Sequence, residues 1–377
     1  MQILVLGAGQ LARMMALDGL PLNLELRAFD VGPGKVVHPL SGDSYEQSLS
    51  QAIDWADVIT SEFEHIPYDV LETCEKSGKM YPDARAIKAG GDRCQEKQLL
   101  DEANVANAPH VIITDRASFE QALSKLATPM VLKSARAGYD GKGQWRLKSM
   151  EDAQALWQEL AAFLEANPHQ AIVGEKMIPF DREVSLVGAR THDGSIKVYP
   201  LAVNHHYQGV LNLSIVDGKQ SEALEAQAQQ IFEAIANTLN YVGVLAIELF
   251  VVGEKLLVNE IAPRVHNSGH WSQQGAFVSQ FDNHLRAVAN LPLGDTQLRT
   301  PTAMINILGQ DEVAPDIYSM PGTRVHWYGK SKRPGRKMGH INVTAQDAAQ
   351  LIEQLNVTAK WLPREQYPGL HEYLENS

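Results

Sequence analysis

The stretch VGVLAIELFVVGEKLLVNEIAPRVHNSGH, residues 242–270, restricts the fold of this chain more than any other. Two apolar runs flank Gly253-Glu254-Lys255, the pattern of a β-hairpin. With the turn centred on Glu254, Glu248 and Glu260 stand opposite each other. Directly paired residues hold their Cβ atoms about 5 Å apart, and like charges there repel. Both acids lie inside apolar runs, so exposure to water is a poor account of them, and a buried carboxylate needs a partner. Either one of them faces water after all, or both meet Arg or Lys, or a hard cation joins them. Mg²⁺ takes one or two protein carboxylates plus substrate phosphates. Asn259 faces the other side of a regular strand and joins such a site only where the strand ends or bulges.

The rest of the chain frames that hairpin. Residues 1–95 alternate strands and helices, as a parallel sheet requires. QILVLG, LELRAFD, DVITSEFE and KMYPD read as strands, with a helix from Gln10 and another near 68–77. In ILVLGAGQLARMM, Gly7, Gly9 and Ala12 match G-x-G-x-x-G/A, and Asp30 stands where a dinucleotide site places its ribose-binding acid. On the residues alone this turn serves a dinucleotide, another phosphate at a helix N-terminus, or the chain path only. A small α+β unit follows, holding HVIITD, PMVLKS, GQWRLKS and QAIVGEKMI. SEALEAQAQQIFEAIANTLN is a long helix with one apolar side. Past about residue 290 the chain reads as a small β-rich segment.

Lys133 ends the apolar run PMVLK, and a loop with Gly138, Gly141 and Gly143 follows. Such a loop can fold backbone N–H groups over phosphate oxygens. It is not a Walker A loop, because no Gly-Lys-Ser/Thr opens a helix. A net charge of −12 argues against general nucleic-acid binding. No run approaches the roughly 18 apolar residues of a membrane span. Cys74 and Cys94 are expected as two reduced thiols. The expectation is a cytoplasmic protein without a cleaved leader or a membrane partner.

Lys133, GYDGKGQ, GEKMI, Glu183, AIELFV and LLVNEIAPRVHNSGHW, in that order, resemble an ATP-grasp ligase. More closely, GQLARM, GYDGKGQWR, EVSLVGAR, EIAPRVHNSGHWS and RPGRKMGHIN resemble the N5-carboxyaminoimidazole ribonucleotide synthetase family of purine biosynthesis. The resemblance runs from residue 3 to about 345. Ala12 departs from it, since the family usually has Gly there, and the last thirty or so residues match nothing useful. It implies an α/β and α+β architecture. An N-terminal Rossmann-like domain (1–95) precedes an ATP-grasp domain (96–290, mobile lid about 108–178) and a β-rich C-terminal domain (291–377). It also implies ATP, Mg²⁺ and bicarbonate, with 5-aminoimidazole ribonucleotide carboxylated on its amine, and a homodimer.

The roles it implies are specific. Arg93 and Lys133 contact ATP phosphates, covered by the lid loop of Gly138, Tyr139, Asp140, Gly141, Lys142, Gly143 and Gln144. Glu175, Lys176, Met177 and Ile178 form the hinge at the adenine. Glu183 takes the ribose hydroxyls, and His206 lies on the nucleotide side. Glu248 and Glu260 hold Mg²⁺, assisted by Asn259. Arg264 holds bicarbonate or carboxyphosphate, and His266, Asn267 and Ser268 orient the substrate amine, reached by Asp140 and Tyr139 on lid closure. Lys330, Arg336 and Lys337 grip the ribonucleotide phosphate, with Lys330 also counted as catalytic. Gly9, Gln10 and Leu11 face the same substrate, so the first turn binds a mononucleotide. Glu64 lies at its ribose, chosen over Glu62 because Glu62 alternates to the opposite face of the strand. The rivals are a formate-using glycinamide ribonucleotide ligase, a biotin carboxylase, an NAD-dependent dehydrogenase and a noncatalytic nucleotide-binding regulator.

Overall fold

The computed structural model describes residues 1–136 and 143–376. The first sheet has four strands in the order Lys35–Val37, Glu25–Asp30, Gln2–Leu6, Val58–Ser61. The last three run parallel, and the short first one is antiparallel. Gln2–Leu6 is central and buried from Ile3 onward, which is why it reads as an uninterrupted apolar run. Helix Gln10–Gly19 packs Leu11, Met14 and Met15 inward. Two strands differ from expectation. The run DVITSEFE is a strand only over Val58–Ser61, and KMYPD contributes an isolated bridge between Ile59 and Met80.

The second sheet is antiparallel, in the order His110–Ile113, Ile172–Lys176, Met130–Ser134, Gln144–Leu147. Helices Arg116–Leu126 and Ala153–Ala166 cover it through Phe119, Leu126, Leu156 and Leu160.

The third sheet has nine strands among the described residues. Its path is Lys255–Ala262, Gly243–Val252, Arg182–Arg190, Ala202–Tyr207, Val210–Val216, Thr302–Leu308, Lys337–Thr344, Thr323–Trp327, with Ile196–Val198 beside Arg182–Arg190. The amphipathic helix Glu222–Thr238 lays Leu224, Ile231, Phe232 and Ile235 over one face. The β-rich segment expected past residue 290 is therefore continuous with the sheet that carries the glutamate hairpin. Helices Ala348–Ala359 and Pro368–Glu375 cover its far end with Leu351, Leu355 and Leu370. No helix among the described residues is long and apolar enough to cross a membrane.

Candidate active site

The glutamate hairpin builds one wall of a cleft of about 580 Å³. Its turn has two residues, Gly253 (φ +60°) and Glu254, since Val252 pairs with Lys255. A regular ladder from that turn would set Glu248 against Asn259. It would also send Glu260 to the face of Leu256 and Val258, into the apolar core under helix Glu222–Thr238. Instead Leu249 pairs with Val258 and Glu248 with Glu260, leaving Asn259 as the extra residue of a bulge. The bulge turns Glu260 to the cleft and Ile261 to the core, and Asn259 lines the cleft as well. The opposition expected from the sequence is present, reached by a tighter turn plus one bulged residue.

Repulsion between the two acids is visible in their surroundings. Burial, and then the charge of Glu260, push Glu248 up to about 7. Arg93 approaches Glu260 at 3.5 Å and His266 Nε2 approaches Glu248 at 3.6 Å. Arg93 is thus an ion-pair partner of Glu260, and Glu248 has the imidazole of His266 at that range. A third acid, Glu96, accepts the Ile261 N–H at 2.6 Å and is pushed up to about 8 by burial and then by Glu260. No group of three or more His, Cys, Asp or Glu is gathered as a metal cage among the described residues. A cation placed here would have two carboxylates and its ligand's oxygens to rely on, a donor set that would suit Mg²⁺ with a nucleotide.

Facing the hairpin, Lys133 Nζ lies 2.7 Å from Glu175, whose other oxygen meets Lys97 at 2.5 Å. Burial alone would raise Glu175; Lys133 and then Lys97 overcome it and hold the carboxyl at about 2. Lys176, Met177 and Ile178 line the cleft beside Phe180, which stacks on Phe250 at 4.4 Å between centroids. The N–H groups of Lys176 and Met177 already donate to Pro109 and Pro129, so a ligand edge meets the rest of that segment. Glu183 lies 3.0 Å from His206, whose ring is raised because the charge of Glu183 outweighs burial. Gly143 and Gln144 close this side of the cleft. Gly138, Tyr139, Asp140, Gly141 and Lys142 lie outside the described residues.

Beyond the hairpin, Arg264 donates from Nε and Nη2 to Glu64 at 2.6 and 3.2 Å and from Nη1 to Val265 O at 3.1 Å. His266 and Asn267 line the cleft, but Ser268 is fully buried. Its hydroxyl meets His266 Nδ1 at 2.9 Å, so Ser268 fixes the imidazole rather than touching a ligand. Burial, and then Arg264, hold His266 well below the usual imidazole range.

The first turn lies apart from this cleft. Gly7 has φ +113°, and a Cβ on Gly7 or Gly9 would collide with the Glu62 side chain. The Glu62 carboxylate accepts the N–H groups of Gly9 and of Ala12, the latter at 2.8 Å, in the place where an anion would bind. Lys330 donates to Gln10 beside it, its ammonium lowered to about 8 by burial first and Arg336 second. The choice of Glu64 over Glu62 at this turn is corrected. The strand ends at Ser61, so alternation no longer sorts the two acids, and Glu64 belongs to the cleft with Arg264. Lys337 also lines the cleft, whereas Arg336 donates to Ser331 at 2.9 Å. Sequence reading missed Glu62, Glu96 and Lys97. Arg93, Glu96 and Lys97 fall in line with buried Leu100 on one helix face, and that stripe was the available signal.

Comparison with known proteins places these features. Residues 1–90 match the ribonucleotide synthetase preATP-grasp domain, 98–281 the ATP-grasp domain, and 302–354 the phosphoribosylaminoimidazole carboxylase C-terminal domain. The chain is 58% identical over 371 residues to the N5-carboxyaminoimidazole ribonucleotide synthase of Vibrio cholerae, covering 98% of each. It belongs to the N5-carboxyaminoimidazole ribonucleotide synthase family. The Escherichia coli member is 38% identical, covering 98% of this chain and 97% of that one. The Thermus thermophilus synthetase superposes with a TM-score of 0.85 at 37% identity, over 95% of this chain and 98% of that one. A family member from Aspergillus clavatus, solved with ADP and 5-aminoimidazole ribonucleotide, gives 0.82 at 28% identity, over 96% and 98%. The fold is thus a pre-ATP-grasp domain, an ATP-grasp domain and the family's C-terminal domain, and the chain is an ATP-grasp ligase.

Proposed function

We infer that this chain carboxylates the amine of 5-aminoimidazole ribonucleotide, consuming ATP and bicarbonate in purine biosynthesis. The observation that carries the reading is the facing pair Glu248–Glu260 across a cleft from Lys133, in a chain aligned over 98% of its length with named synthases. Bicarbonate is a poor electrophile. Its oxygen takes the γ-phosphoryl group of ATP, giving ADP and carboxyphosphate, a mixed anhydride. The substrate amine then gains the carboxyl group, directly or from the CO₂ the anhydride releases, and phosphate leaves.

The protein's contribution is placement and charge. Lys133 and Arg93 receive the phosphates, with Gly143 and Gln144 beside them. Met177 and Ile178 flank the adenine, and Glu183 accepts the ribose hydroxyls. Glu248 and Glu260, with Asn259, would hold Mg²⁺, which offsets phosphate charge when bound. Glu64 grips one edge of Arg264 and leaves two of its five N–H donors for an anion, because three are already engaged. Neutral His266, fixed by Ser268, orients the amine with Asn267. Lys330, Arg336 and Lys337 meet the ribonucleotide phosphate, and Gln10, Leu11 and Glu62 its sugar side. A homodimer in the cytoplasm accompanies the reading, supported by the family resemblance; light scattering checks the dimer.

The test is phosphate release in the presence of MgATP and bicarbonate. Release that depends on 5-aminoimidazole ribonucleotide is the expected result. Release with formate and glycinamide ribonucleotide in its place, or no release with either, overturns the assignment.

A further inference from the structure

Lys97 is among the most deeply buried large side chains of the protein, with 2% of its side chain exposed. Its ammonium meets Glu175 Oε1 at 2.5 Å; Asn107 Oδ1 is farther, at 3.5 Å, and the charge also acts on neighbouring Glu96. Lys133, 18% exposed, holds the other oxygen of the same carboxylate at 2.7 Å. One anion is therefore shared between two cations, and the two differ in access. Lys133 and Glu175 line the cleft, while Lys97 lies behind them and does not.

The arrangement matters when a polyphosphate arrives. If Glu175 had Lys133 as its single partner, moving that ammonium to a phosphate would strand a carboxylate that is 8% exposed beside fresh negative charge. Lys97 removes that conflict, because Glu175 keeps a counter-ion throughout. The pair also joins two parts of the molecule, since Lys97 lies on helix Arg93–Glu102 and Glu175 on strand Ile172–Lys176 of the second sheet. From the same helix Glu96 binds the backbone of Ile261, next to Glu260.

We propose that Lys97 is a positioning residue for nucleotide binding: it is the standing partner of Glu175 that releases Lys133 to the phosphates. This rests on the reading that Lys133 receives phosphate. The experiment is calorimetric titration of the full chain with MgADP and, separately, with 5-aminoimidazole ribonucleotide. Lys133→Met must weaken MgADP tenfold or more; if it does not, the phosphate reading of Lys133 fails and the proposal falls with it. Granted that result, Lys97→Met should also weaken MgADP at least tenfold, leaving the ribonucleotide and plain adenosine within threefold of the parent. Lys97→Met/Glu175→Gln, which leaves the hinge backbone at residue 175 in place and strands no carboxylate, should recover MgADP affinity to within threefold. Loss confined to MgADP, with adenosine and the ribonucleotide spared, is what a merely structural role would not give. Unchanged MgADP affinity in Lys97→Met, equal losses for both substrates, or a double variant tenfold weaker than the parent overturns the role of Lys97 alone. If Lys97→Met does not fold, the double variant decides by the same limits.

Discussion

Removing one carboxylate of the facing pair separates a metal ligand from a structural acid. Glu260→Ala should lower kcat by about a hundredfold or more, measured as phosphate release at saturating substrates; parent-like rates at ordinary Mg²⁺ refute the role. Lys337→Ala should raise KM for the ribonucleotide about tenfold, the scale of one charged hydrogen bond. An unchanged value there with a raised KM for ATP would assign Lys337 to the nucleotide, whose cleft it lines. Glu248, Glu260 and Lys133 were legible because a charge in an apolar run has to be explained. Lys97 was not, because RCQEKQLLDE is mostly polar and its stripe with Leu100 does not say what it faces; the partner that holds the buried ammonium is Glu175, distant in sequence. Glu62 and Glu64 were misassigned because their facing depended on where a strand stops.

Secondary structure carries the same lesson one level up. The helix in SEALEAQAQQIFEAIANTLN was readable from its period and forms over Glu222–Thr238. The hairpin was readable from two apolar runs, but the bulge at Asn259 was not, since no residue type demands one. Its physical cause lies in the pairing, where a two-residue turn and a cleft-facing Glu260 are compatible only with one extra residue. The turn itself invites a test. Gly253→Ala places a Cβ at φ +60° and should destabilise the fold by about 1 kcal/mol. A lower urea midpoint measures it, and an unmoved midpoint would mean that the turn relaxes freely. The two C-terminal helices were not read, because Leu351, Leu355 and Leu370 acquire meaning only against the sheet they cover.

At the scale of the whole molecule, His284 bolts the N-terminal sheet to the hairpin. Its Nε2 meets Thr60 Oγ1 at 2.8 Å, and its Nδ1 accepts the Val244 N–H at 3.0 Å. Burial holds this ring down to about 4. The folded state keeps it neutral while the unfolded chain protonates below about 6.5, so stability is lost as pH falls from about 6.5 toward 4. The drop in unfolding free energy between pH 7 and pH 5 should shrink by about 1–2 kcal/mol in His284→Gln; an unaltered drop contradicts the neutral assignment. The nine-stranded sheet sets a further condition on the molecule. Its last three strands are stitched to Val210–Val216 through Thr302–Leu308, so the final quarter is no detachable module. A chain cut short near residue 290 would bare the amides of Val210–Val216 and strip the cover from Leu213 and Ile215. Shedding that end by proteolysis, or grafting it onto another ligase, would unravel the nucleotide half of the enzyme along with it.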